Sequence, residues 1–140
     1  MNVKAGYSTP MLHVADIPRS IGFYEQLGFE VVDTEGAADC PSWARLHCEG
    51  GAIMLLTADE PVDPSVQSVL LYMYTPAPAA LREQLLAAGI AVPEIRHPEY
   101  MPSGEIHLQD PDGYAVLVAH WGQSEHDAWL QRIGRGRDGS

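Results

Sequence analysis

Glu105 and His107 stand two residues apart in the run EIHLQ, a spacing that puts both side chains on one face of an extended strand. An imidazole exchanges protons near neutral pH, so His107 is the candidate catalytic acid/base, or the group that meets an acidic part of a ligand. Glu105 would orient that ring or meet a cationic ligand. The plainer alternative is a hydrogen-bonded strand histidine beside a surface acid, with no chemistry. Trp43, Arg45 and His47 alternate in the same way. Facing inward, they offer ring stacking and carboxylate recognition; facing outward, they leave the interior to Ala44, Leu46 and Cys48. Tyr72 and Tyr74 share a face opposite Leu71 and Met73 and offer hydroxyls and flat surfaces. His13 falls in phase with Thr9. His97, Tyr100 and Met101 sit in a proline-rich stretch, and loops often carry binding residues. His120 and Trp121 are placed to anchor a final helix. The six histidines follow no metal-ligand spacing, and Cys40 and Cys48 form no CxxC pair.

The chain that must position these groups has 140 residues, 46% of them apolar, which suits one packed domain. No apolar run approaches the roughly 18–20 residues of a membrane span. MNVKAGYSTP at the start lacks the apolar stretch of a secretory signal, so a cytoplasmic protein with reduced thiols is expected. A formal charge of −11 repels phosphate backbones, so nucleic acid is not an expected partner, nor is a membrane. The same charge suits a cationic partner, or simply solubility.

The elements repeat. Gly51-Ala-Ile-Met-Leu-Leu56 matches Gly113-Tyr-Ala-Val-Leu-Val118, and Gly28-Phe-Glu-Val-Val32 matches Gly89-Ile-Ala-Val92, at offsets of 62 and 61 residues. The first half reads as an extended segment over 7–14, then a helix capped by Asp16 and ended by Gly28. Strands follow over 29–32, 43–48 and 52–57, with 33–41 as loop. The second half reads as a strand over 69–75, a helix ended by Gly89, a short strand over 91–92, and a hairpin of 105–109 with 114–120. Asp110-Pro-Asp-Gly113 makes its turn, proline fixing φ and glycine taking the positive φ. Ser124 then caps a last helix that ends at Gly134, leaving 136–140 disordered.

HVADIPRSIGFYEQLGFEVV, then a strand leading to a helix that ends LLAAGIAV, then LQDPDGYAVLV, in this order over about residues 7–120, resembles the glyoxalase/bleomycin-resistance/dioxygenase (vicinal oxygen chelate) superfamily. The resemblance implies an α+β fold in which two βαβββ modules form a half-open barrel around a small-molecule site, with a C-terminal helix added. A single domain is expected: module 1 over 5–57, a linker over 58–68, module 2 over 69–120, and helix and tail over 121–140. Members are commonly dimers, so a homodimer is expected.

The superfamily's enzymes hold a divalent metal with His and Glu from four equivalent strand positions, residue types whose lone pairs suit hard or borderline cations. Counting from Val14-Ala15-Asp16, Gly51, Gly89 and Gly113 puts Thr9, Leu55, Leu70 and Leu117 at those positions. Leucine offers no lone pair, and a slip of one residue brings no better set, so no conventional metal site and no cofactor is expected. The leucines would instead floor a cavity, as a ligand wall or as closed core, each burial favourable by about 1.5–3 kcal/mol. The resemblance also implies a pocket-lining place for His107. The expected ligand-binding set is therefore Thr9, His13, Trp43, Leu55, Leu70 and Leu117, together with Tyr72, Tyr74, Glu105 and His107. These residues lead to a metal-independent small-molecule-binding protein, nearest to the members that sequester an antibiotic-like or metabolite ligand. The alternatives are a lyase, isomerase or dioxygenase-like enzyme with a non-standard site, and a regulatory or structural dimer with a filled barrel.

Overall fold

A computed structural model describes residues 3–137. The chain divides into two compact units, one of residues up to 68 together with 109–114, the other of 69–108 together with those from 115 onward.

In the first unit, β1 (Met11–Val14), α1 (Ile17–Gln26), β2 (Glu30–Gly36), β3 (Pro41–Cys48) and β4 (Gly51–Thr57) give a four-stranded sheet in the order β1-β4-β3-β2. β1 runs parallel to β4, and the other pairs are antiparallel. The opening strand is shorter than the sequence suggests. Pro10 has no N–H to give, so regular pairing begins at Met11. Asp16 caps α1 through Oδ1, which accepts from the Arg19 N–H at 3.1 Å, and Gly28 takes φ +99° just beyond the helix end. The helix buries Ile17, Ser20, Phe23 and Tyr24 against β3 and β4, whose buried residues include Ala44, Leu46, Ile53 and Leu55. β2 continues to Gly36 with every residue exposed, where the sequence reading has a loop from Asp33. Beyond Val32 this edge strand is polar on both faces, so no alternation reveals its continuation.

The Asp110–Gly113 turn belongs to this unit and is built into its core. Asp110 Oδ1 accepts from the N–H groups of Asp112 and Tyr114, both at 2.9 Å, while its Oδ2 accepts from the Tyr24 hydroxyl at 2.7 Å. Asp112, 1% exposed, accepts from the Ala15 N–H at 2.8 Å and the Ser20 hydroxyl at 3.3 Å, with Arg19 at 3.6 Å. Two acids of a turn motif therefore fasten both ends of the β1–α1 junction. Gly113 sits at φ +87°, and a Cβ there would collide with the Pro64 backbone, so no other residue fits.

The second unit contains β5 (Leu70–Thr75), α2 (Pro78–Ala87), β6 (Glu105–Gln109), β7 (Ala115–His120) and α3 (Gln123–Arg137). Its three-stranded sheet has the order β5-β7-β6, with β5 parallel to β7. The strand expected at 91–92 does not form. Those residues run as coil into Pro93, which has no ladder donor, and the chain rejoins the sheet at a single bridge between Arg96 and Glu105. The cap of α3 also differs from the expectation at Ser124. Glu125 reaches back so that its Oε2 accepts from the Gly122 N–H at 2.9 Å and the Ser124 hydroxyl at 3.0 Å, and Oε1 lies 2.6 Å from His120 Nδ1. The helix runs through Gly134, the expected end, to Arg137. Of the tail expected to be disordered, Gly136 and Arg137 are helical, and 138–140 lie outside the described residues. Among the described residues, no helix is long and apolar enough to cross a membrane.

Candidate functional site

In the second unit α2 covers the face of the sheet that carries Leu71, Val116 and Val118, and the period of two sends the alternate residues to the other side. On that open face Leu70, Tyr72 and Tyr74 stand in register with Ala115, Leu117 and Ala119. Tyr72 and Tyr74 remain 42% and 56% exposed and meet edge to face, ring centroids 5.5 Å apart. The row continues through Trp121, 5.1 Å from Tyr74, and then His126 and Trp129 of α3. Trp121, read from sequence as an anchor for the last helix, is in phase with Ala115, Leu117 and Ala119. That alternation was the signal for its place on this face.

Glu105 is the centre of the arrangement. Its carboxylate has no exposed surface, yet the three donors to it are partly open side chains. Oε2 accepts from the Tyr72 hydroxyl at 2.6 Å, and Oε1 from the Tyr100 hydroxyl at 2.8 Å and His107 Nε2 at 2.7 Å. Burial pushes the Glu105 carboxyl up, but the bonds from Tyr72, Tyr100 and His107 outweigh it and hold the group below the usual carboxylate range. The phenols answer in the opposite sense. Burial and the bond to Glu105 raise Tyr72, and the same bond, then burial, raises Tyr100. The backbone bridge to Arg96 fixes the start of β6 (N···O 2.8 and 3.0 Å), so the loop that carries Tyr100 returns to Glu105 at both levels. His97, also in that loop, holds the Pro102 carbonyl at 3.0 Å instead of joining the cluster.

The open face of the first unit is of another kind. His13, Leu56 and Trp43 form one cross-strand row, and Met11, Met54 and Arg45 the next. Arg45 donates to His47 Nε2 at 2.9 Å, and Thr9 lies just before β1, half-buried. Leu55 does not belong to this face. It is fully buried on the α1 side, because the hairpin turn is the two residues Glu49-Gly50 and Gly51 already pairs with Cys48 in the ladder. Met54 and Leu56 take the open-face places beside it. An open cleft of about 540 Å³ lies along the 58–67 segment of this unit, with His13 and Tyr114 in its wall. The Tyr114 hydroxyl is spoken for, donating to the His13 carbonyl at 2.9 Å.

The divalent metal implied for enzymes of the resembling family does not suit these residues. The open-face positions concerned carry Thr9, Met54, Leu56, Leu70 and Leu117, with no imidazole or carboxylate. Among the described residues no group of three His, Cys, Asp or Glu side chains could hold an ion.

Comparison with known proteins bears on the fold. A bleomycin-binding protein solved with bleomycin superposes with a TM-score of 0.67 at 20% identity, over 84% of this chain and 100% of that one. TnmS3, an antibiotic-binding protein from Streptomyces sp. CB03234, gives 0.62 at 20% identity, over 86% and 100%. The fosfomycin resistance protein FosX from Listeria monocytogenes gives 0.65 at 14%, over 88% and 98%. No curated protein matches the chain in sequence. The sequence model of one family matches residues 7–118, and with the paired sheets and helices described above it places the chain in the Glyoxalase/Bleomycin resistance protein/Dioxygenase superfamily.

Proposed function

We propose that the chain binds a small organic molecule on the open face of its second unit, without a metal ion, and sequesters that ligand instead of transforming it. The observation that carries this reading is the Glu105 cluster. Taking a carboxylate out of water costs several kcal/mol unless donors surround it. Here the donors are Tyr72, Tyr100 and His107, all partly open to solvent. The buried charge therefore fixes the orientation of an exposed aromatic surface, which lowers the ordering cost of binding. The bleomycin-binding protein and TnmS3 support an antibiotic-like ligand. A homodimer accompanies this reading, and light scattering should return twice the 15.3 kDa of the chain.

Titration with bleomycin and a panel of aromatic antibiotics, before and after dialysis against a chelator, tests the proposal on protein purified without a metal-affinity tag. Saturable binding that chelation leaves unchanged is expected. Stoichiometric transition metal, with binding lost on its removal, would overturn it. One observation favours a second reading, an acid/base enzyme. Glu105 Oε1 takes the proton-bearing Nε2 of His107, leaving Nδ1 free to accept a proton. Turnover of any substrate by the protein, abolished in His107→Gln, would establish that reading.

A further inference from the structure

We infer that this face selects ligands that donate hydrogen bonds, flat aromatic amines and their cations, and turns away flat carboxylates, because Glu105 leaves its polar partners only as acceptors. The inference rests on the proposed binding role of the same face. An ionised carboxylate accepts and cannot donate. The hydroxyls of Tyr72 and Tyr100, at 2.6 and 2.8 Å from it, therefore both spend their single proton on Glu105. His107 Nε2, at 2.7 Å, likewise carries its hydrogen toward Glu105. What remains for a ligand is a lone pair on each phenol oxygen and, on a neutral ring, a lone pair on His107 Nδ1. Glu105 itself has no exposed surface, so it acts on the ligand through its charge and through the direction of these three groups. The rings beside them are electron-rich faces that attract cations. Tyr74 and Trp121 meet edge to face at 5.1 Å, an arrangement with ring faces left over for a flat guest.

Proflavine, a flat cation with two amino groups, and anthracene-9-carboxylate, a flat anion of similar ring size, are the probes, each titrated against the whole chain by tryptophan fluorescence. Proflavine should bind at least about 10-fold more tightly, a difference of one or two charge-assisted hydrogen bonds. Tyr72→Phe and Tyr100→Phe should each shrink that preference about 3- to 10-fold. Both variants keep the net charge of −11, so a preference caused by overall charge would survive them, and its survival would overturn the inference. Glu105→Gln replaces one of the two accepting oxygens by an amide N–H donor, which frees the phenol on that side to donate, and should narrow the preference to within about 3-fold. The two tyrosine variants decide the matter even where that substitution impairs folding. Equal binding of both probes by the wild-type chain would overturn the inference and leave the binding role standing. Binding of neither probe would overturn both.

Discussion

Among the described residues, carboxylates are buried in two places, and their partners differ in kind. Asp110 and Asp112 are satisfied from inside the first unit, by backbone N–H groups and by the Tyr24 and Ser20 hydroxyls. Glu105 is satisfied by side chains that also face solvent, Tyr72, Tyr100 and His107. The first arrangement spends its hydrogen bonds on joining a turn to a helix, which is structural. The second holds groups in place at a surface where a ligand can reach them. Burial alone does not separate the two roles; the exposure of the donors does.

Breaking the structural pair should have the largest effect. Asp112→Ala leaves the Ala15 N–H and Ser20 hydroxyl without their acceptor, and urea denaturation should show a loss of about 2–4 kcal/mol. Tyr24→Phe removes one donor to Asp110 and should cost about 1–2 kcal/mol in the same measurement. A small loss in both would mean that the turn is not the fastening described. Tyr100→Phe sharpens the contrast from the other side. Its ring is 66% exposed, so water can take the place of its hydroxyl and stability should fall by no more than about 1 kcal/mol, while probe selectivity falls about 3- to 10-fold. The smallest effect concerns α3. The hydrogen bond from its own N–H, opposed by burial and joined by bonds from Ser124, Gly122 and His120, holds Glu125 at about 2, below its ordinary 4.5. A depressed carboxyl stabilises the folded state above its unfolded pKa and stops doing so as pH falls through the folded value. The docking of α3 should therefore be complete above pH 4.5 and weaken toward pH 2, read as a change in tryptophan emission that Glu125→Gln removes.

The same contrast marks how far the sequence could be read. Period-two alternation put Tyr72 with Tyr74 and Glu105 with His107, and the structure has each pair on one open face, because alternation is a direct consequence of strand geometry. Leu55 was out of reach by the same logic. Ile53-Met-Leu-Leu56 is apolar throughout, so it carries no phase of its own; the count from Gly51 put Leu55 at a ligand position, whereas the ladder pairs Gly51 with Cys48 and Leu55 with the buried Ala44. The roles of Asp110 and Asp112 were hidden by their own turn chemistry, which accounts for those residues without any burial. Tyr100 could be named as a loop candidate, but its bond to Glu105 spans a fold of the loop that no local pattern encodes. The absent strand at 91–92 reflects the repeat itself, since duplication predicted an element that Pro93 does not allow to pair.

The proposed site is the Glu105 face of the second unit, binding a small molecule without metal. Amide and indole chemical shifts followed by NMR during a proflavine titration in the presence of a chelator test it most directly. Saturable shifts are expected at Tyr72, Tyr74, Glu105, His107 and Trp121, with His13 and Trp43 of the first unit unmoved. Shifts confined to His13 and Trp43, or no saturable shift until a divalent metal is restored, would contradict it.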